Sequence, residues 1–394
     1  MPDVHGAVKQ HNLGLDLVRS AAILLVLYSH TEGWWVQPSP ATTITTAYAG
    51  RIGVELFFSL SGFLIGGILL RGIEAGFGPA ALVRFWSRRW MRTLPAYWVM
   101  LGLLGSHFAV FDWRSLLFLQ NWAPRQLWTP LTPHTWSLAL EEWFYLFVPA
   151  LLLGAVRALG RRRRHWAVPL ACLALVVACS AGRAVVGTAA QPFWGPDPGL
   201  NPVLRLDCAA WGLLAAWLVH RRPLATAAAW ALAAAGTSLL LLMGWVWAGV
   251  FTPERLVPWG FHLWGAAWEP LHPALEEAGA ACLVLALHRL LPGGSAVPGS
   301  SMMLGDMLAW AAGGLAALSY ALYLVHIPIL YLLRGAGLDD AAGWGARAAM
   351  AAAILSAALA LRWGVERPAL ALRERLAPER PVPAAPAAIP AGLR

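Results

Sequence analysis

Lysine is all but missing from this chain: among 29 basic residues only Lys9 is not an arginine, and charged residues of both signs fill just 12% of the 394 positions. So little charge does not cover a soluble globule, and no mixed polar stretch is long enough to fold as a soluble domain of its own. Cysteine is scarce as well. Cys172, Cys179, Cys208 and Cys282 lie in or beside apolar runs without a Cys-x-x-Cys pair, which excludes a disulfide framework and leaves buried free thiols. Also absent are His-x-x-x-His, His-Glu-x-x-His, Gly-x-Gly-x-x-Gly, P-loop and Gly-x-Ser-x-Gly patterns, so no metal ligand set, nucleotide cradle or nucleophile elbow is expected. No small-residue cleavage site follows the first apolar segment, which is therefore expected to stay in the membrane.

What is present is apolar: 59% of the residues are hydrophobic and the mean hydropathy is +0.59. Apolar stretches of about 20 residues recur, the length that crosses a bilayer as a helix. The expectation is an all-α, polytopic integral membrane bundle of about ten transmembrane helices, near 15–34, 51–70, 93–111, 136–156, 166–188, 203–220, 224–250, 269–288, 308–333 and 343–365. A short tail, 1–14, precedes the membrane domain, 15–368. A Pro- and Ala-rich tail, 369–394, comes after it and is expected to be disordered towards its end.

With both termini cytoplasmic, 21 of the 29 basic residues fall on the inner side. That asymmetry sets the orientation of a multi-pass protein of the cell membrane, plasma or bacterial inner. It also accounts for the basic balance, Arg161 to Arg164 included, without nucleic acid.

The first apolar segment carries Arg19 at one end and His30 at the other, eleven positions apart. At about 100° per residue these steps come to about 1100°, roughly 20° past three turns, and the axial separation is about 16 Å. The two therefore share a helix face, and ionisable groups inside a membrane segment belong to a polar interior where a site is found. Near the outer ends of their spans lie His30, Glu32, Glu55, Glu141, Glu142, Arg205, Asp207, Glu269, His272, Glu276, Glu277, Tyr320, Tyr323 and His326. A desolvated imidazole tends to be neutral at pH 7, leaving one nitrogen free to take a proton from a hydroxyl. His30 is the candidate base, with Glu32, Glu55, Glu141 or Glu142 to orient it. His326 has a plainer reading too, as the partner of a helix kink at Pro328.

Near the inner face, Arg84, Arg88 and Arg92 recur at spacings of four, a row of forked donors suited to phosphates or to lipid headgroups. Ser137, in Trp136-Ser137-Leu138-Ala139-Leu140-Glu141-Glu142, reads as a helix N-cap, with one of the two glutamates facing the bundle. Gly62 and Gly66 read as a close helix contact.

Six segments together resemble the acyltransferase family 3 membrane proteins: Arg19 with ten residues between it and His30; Gly53-Val54-Glu55-Leu56-Phe57-Phe58-Ser59-Leu60-Ser61-Gly62-Phe63-Leu64-Ile65; Arg88-Arg89-Trp90-Met91-Arg92-Thr93-Leu94-Pro95; Trp136 to Glu141; Ser319-Tyr320-Ala321-Leu322-Tyr323-Leu324-Val325-His326-Ile327-Pro328; and Glu366-Arg367-Pro368. The family commonly has aspartate at the position of Glu55 and often glutamine after the first glutamate of the fourth-span motif; this chain has Glu55 and Glu142 there, and Trp143 comes next.

The resemblance implies transfer of an acyl group, often acetyl from acetyl-CoA, to a hydroxyl of a carbohydrate or other acceptor such as a macrolide. It further implies an essential role for His30 and an important one for Arg19, in a stand-alone member without a C-terminal hydrolase-like domain. The candidate catalytic residues are His30, Glu55 and Glu141. The candidate substrate-binding residues are Arg19, Arg88, Arg89, Arg92, Ser137, Tyr323 and His326. No bound cofactor is expected; acyl-CoA is a co-substrate, and a carbohydrate, glycolipid or macrolide-like molecule the acceptor. The pantetheine arm is expected to run along the first helix from Arg19 to His30. A transporter or flippase is the alternative, since buried His, Glu and Arg also make proton relays.

Overall fold

The computed structural model describes residues 12–36, 39–122, 133–188, 201–250, 271–292, 302–338 and 343–378. Glu269, the end of the C-terminal tail and the loop stretches 123–132 and 189–200 lie outside this set. The described residues form helices and no strands. In chain order these are α1 Leu13–His30, α2 Glu32–Trp35, α3 Pro40–Glu74, α4 Pro79–Phe108, α5 Trp113–Leu116, α6 Trp136–Arg163, α7 Ala167–Thr188, α8 Ala210–Arg221, α9 Thr226–Val250, α10 His272–Leu290, α11 Met302–Gly335, α12 Gly343–Leu361 and α13 Arg367–Leu376.

Each of the ten expected spans falls on a helix, and among the described residues eight helical stretches are long and apolar enough to cross a membrane, α8 counting with the short turn that precedes it as Val203–Arg221. The other two are α4 and α10. Both are rich in polar groups, Arg84, Arg88, Arg89 and Arg92 on one and His272, Glu276, Glu277 and His288 on the other. Arg89 of α4 and Glu276 and Glu277 of α10 meet polar partners inside the bundle.

Helix α1 is the axle. It packs on α3, α10 and α11, with Val18, Ala22, Ile23 and Val26 buried. Asn12 caps its start by accepting from the Leu15 N–H at 3.0 Å. Glycines set the closest crossings: a Cβ on Gly62 would lie 2.0 Å from the Ala209 carbonyl oxygen, and one on Gly212 would lie 1.9 Å from that of Ser59. The backbones of α3 and α8 touch there, as small residues permit.

Prolines inside two of the helices draw in side chains from neighbouring elements. A proline has no N–H for the carbonyl four residues earlier, so that oxygen needs another donor. Pro149 frees the Tyr145 carbonyl in α6, and Trp86 Nε1 donates to it at 3.0 Å. Pro328 frees the Leu324 carbonyl in α11, and His134 Nε2 meets it at 3.3 Å.

A cluster of buried charges ties α3, α7, the 201–209 segment and α10. Arg205 donates to Glu55 at 2.9 and 3.1 Å and lies 3.0 Å from Glu277. Arg51 donates to Glu276 at 2.6 Å, and Arg183 grips both oxygens of Asp207 at 3.0 and 2.9 Å. Three guanidinium groups serve four carboxylates here, Arg205 being shared by Glu55 and Glu277, and such pairing is what lets charges persist at this depth.

Candidate active site

The sequence-predicted residues separate into three groups. At one end of α1, His30 Nδ1 lies 3.1 Å from His326 Nε2. His326 is fully buried, and its Nδ1 faces the carbonyls of Leu322 at 3.1 Å and Tyr323 at 2.8 Å. His134, on the one-turn helix Pro133–Thr135 that leads into α6, stacks its ring edge-on to His326, centroids 5.1 Å apart. Burial, with the neighbouring His30 adding to it, holds the His134 imidazole down at about 3, so it is neutral.

Tyr323 completes this group: its hydroxyl donates to the His134 carbonyl at 2.5 Å and therefore accepts from Ser137 Oγ, 2.6 Å away. Ser137 is thus not an N-cap. The turn at 133–135 runs straight into α6, whose N-cap is Thr135 with no side-chain cap bond.

Towards the other end of α1 a second group gathers around guanidinium side chains. Arg89 donates to Glu141 at 3.0 Å and to the Tyr145 hydroxyl, with its guanidinium 3.9 Å from the centre of the Tyr145 ring. Ser61 bonds both Glu141 and Tyr145. Arg19 and Arg92 lie within Coulombic range of Arg89 and of each other. Arg19 is 3.8 Å from Asp16, while Arg92 is exposed and forms no ion pair among the described residues. The result is a cluster of positive charge with Glu141 as one of its few counterweights.

Arg88 points elsewhere. It clasps both oxygens of Glu374 on α13, at 3.0 and 2.9 Å, and also donates to the Ala377 carbonyl. Arg84, Arg88 and Arg92 are therefore not one interchangeable row.

The third group contains Glu55, which the structure joins to Arg205 in the buried charge cluster and not to His30. Neither does Glu141 reach His30: its partners are Ser61, Arg89 and Tyr145. The partner of His30 is another imidazole. His134, Ser61 and Tyr145 are site members that sequence reasoning misses. The signal for His134 is Pro328, whose freed carbonyl needs a donor.

Between Arg19 and His30, the same face of α1 carries Ile23 and Val26, exposed by 0% and 1%. That face is packed. Among the described residues no group of three His, Cys, Asp or Glu side chains is arranged to hold a metal. Two of the imidazole nitrogens here are instead engaged with backbone carbonyls.

Apolar helices around imidazoles at one end and clustered guanidinium groups nearer the other define a multi-pass membrane protein whose ionisable groups work inside the bundle. Comparison with known proteins names it more closely: the acyltransferase family 3 model, an acyltransferase domain, matches residues 12–363, and the chain belongs to that family.

The peptidoglycan O-acetyltransferase OatA of Listeria monocytogenes is 32% identical over 160 residues, 35% of this chain and 24% of that protein. YrhL of Bacillus subtilis (strain 168) is 30% identical over 218 residues, 47% of this chain and 30% of its own length. A Staphylococcus aureus (strain COL) relative is 28% identical over 215 residues, 48% of this chain and 33% of the relative. The matched region thus spans a third or less of these relatives. No solved structure matches the chain.

Proposed function

We propose that this acyltransferase moves an acetyl group from cytosolic acetyl-CoA to a hydroxyl of a carbohydrate or a related acceptor at the opposite side of the membrane. The observation that carries the reading is the division of α1, with Arg19 beside Arg89 and Arg92 near one end and His30 against His326 at the other. The guanidinium groups suit the phosphates of the donor, as forked donors do. The acetyl acceptor reading is supported by the name of the Listeria relative, a peptidoglycan O-acetyltransferase.

In the reaction the acceptor hydroxyl gives its proton to His30 as its oxygen attacks the thioester carbonyl. Collapse of the tetrahedral adduct breaks the carbon–sulfur bond, and the departing thiolate takes the proton back from the imidazolium. Because Ile23 and Val26 fill the face between Arg19 and His30, the donor arm passes beside that face and not along it. The arginine end is then the cytosolic end, with both termini on that side.

The test is transfer of labelled acetyl from acetyl-CoA by purified protein to a panel of sugars and glycans. His30→Ala is expected to lower the rate by at least about 10²-fold, the ordinary worth of a general base. A His30→Ala protein that transfers at the wild-type rate defeats the assignment.

A further inference from the structure

We propose that His326 is a positioning residue that fixes His30 as its Nδ1–H tautomer and leaves His30 Nε2 as the nitrogen that takes the proton. The proposal rests on the reading of His30 as the base and goes further by naming the atom and the group that selects it.

The tautomer is set from the backbone. His326 Nδ1 faces two carbonyl oxygens, at 3.1 and 2.8 Å. A carbonyl only accepts, so that nitrogen carries the proton. A neutral imidazole has one protonated nitrogen, so His326 Nε2 is a bare acceptor. The atom 3.1 Å from it is His30 Nδ1. Two bare nitrogens do not bond, so His30 Nδ1 is the donor and its proton is placed there. The remaining lone pair of His30 is on Nε2. The Val26 carbonyl, four residues earlier on α1, is a further acceptor for the His30 ring; the corresponding carbonyl at His326 is taken by Nδ1.

A kink-filling role for His326 does not explain this arrangement. The carbonyl that Pro328 frees is that of Leu324, and His134 takes it. His326 bonds the carbonyls of Leu322 and Tyr323, whose amide partners at 326 and 327 both exist. Its ring is held from two directions: backbone oxygens lock one nitrogen, and the rings of His134 and Tyr323 pack beside it with centroids 5.1 and 5.7 Å away. A fixed acceptor next to a base also stabilises the imidazolium formed when the base is protonated. In many hydrolases a carboxylate does that work; here an uncharged ring does it inside a membrane, where an isolated carboxylate is costly.

Two measurements test the proposal on the full-length protein in detergent or nanodiscs. Histidine ¹⁵N NMR reads tautomers directly, with His30→Gln used to assign the signal. Wild type is expected to have His30 protonated at Nδ1 and bare at Nε2; a signal from the Nε2–H tautomer overturns the proposal whatever the activity. In kinetics, His326→Leu is expected to lower kcat about 10²-fold with KM for donor and acceptor within about twofold, because the wrong tautomer impairs proton transfer and not binding.

His326→Gln keeps an amide oxygen able to accept and is expected to recover about tenfold of that loss at an unchanged melting temperature. A His326→Leu protein with wild-type kcat, or a loss confined to KM, sinks the positioning role. Failure of the underlying base assignment looks different: His30→Ala then transfers normally while the tautomer signal is as expected.

Discussion

Pro328 removes one amide from α11, and the carbonyl it frees brings His134 beside the two site histidines. At the scale of single residues this is the step the sequence hid, because a proline says that a donor is needed but not which one arrives. His30 and Arg19 were legible from spacing alone. The partner of His30 was not: four carboxylates looked suitable, and the structure pairs it with His326.

His134 carries a consequence for stability. Its folded pKa of about 3 lies below the ordinary 6.5, so the unfolded chain binds more protons between those values. Stability is therefore complete above about pH 6.5 and is lost as pH falls towards 3, by up to about 1.4 kcal/mol per pH unit. Melting temperatures of wild type and His134→Gln, tracked from pH 7 to 4, are expected to converge as pH falls, the variant having the shallower slope. Parallel slopes would remove His134 as the cause.

Helix α4 divides its arginines among neighbours. The spacing of Arg84, Arg88 and Arg92 placed them on one face, and sequence cannot say that α13 has already engaged the middle one. Arg89, one position out of that register, turns instead to Glu141 and Tyr145. The donor is therefore expected to feel the four unequally. Arg89→Ala and Arg92→Ala should each raise KM for acetyl-CoA by about 10-fold or more, the worth of a hydrogen bond to a charged group. Arg88→Ala should change it by less than about threefold. Steady-state kinetics with acetyl-CoA decides this, and an Arg88 effect equal to that of Arg89 would contradict the division. The helices were the most legible part of the fold, since recurrent apolar runs of the right length leave few alternatives. Their ends were less so: Ser137 resembles a cap, yet the turn before it leaves its hydroxyl free for Tyr323.

For the molecule as a whole, the all-α membrane bundle was readable from hydropathy, but the buried charge cluster was not. Glu55, Arg205 and the adjacent Glu276 and Glu277 come from three distant parts of the sequence, and only the packing of α3, α10 and the 201–209 segment makes them neighbours. Arg205→Ala removes the guanidinium 3.0 Å from Glu277 and leaves Glu55 with only Arg51, 3.8 Å away, and is expected to lower stability by about 3–5 kcal/mol. Glu55→Gln is expected to lower the melting temperature as well while the folded fraction keeps its kcat. A full loss of kcat at an unchanged melting temperature would instead return Glu55 to the chemistry.

Ile23 and Val26 sit packed between the two polar ends of α1. In the proposed reaction, basic and proton-exchanging groups serve opposite sides of a membrane, an arrangement that risks becoming a wire for protons. Two buried aliphatic side chains interrupt that wire, so the proposed transfer would proceed without a proton leak along this face of α1.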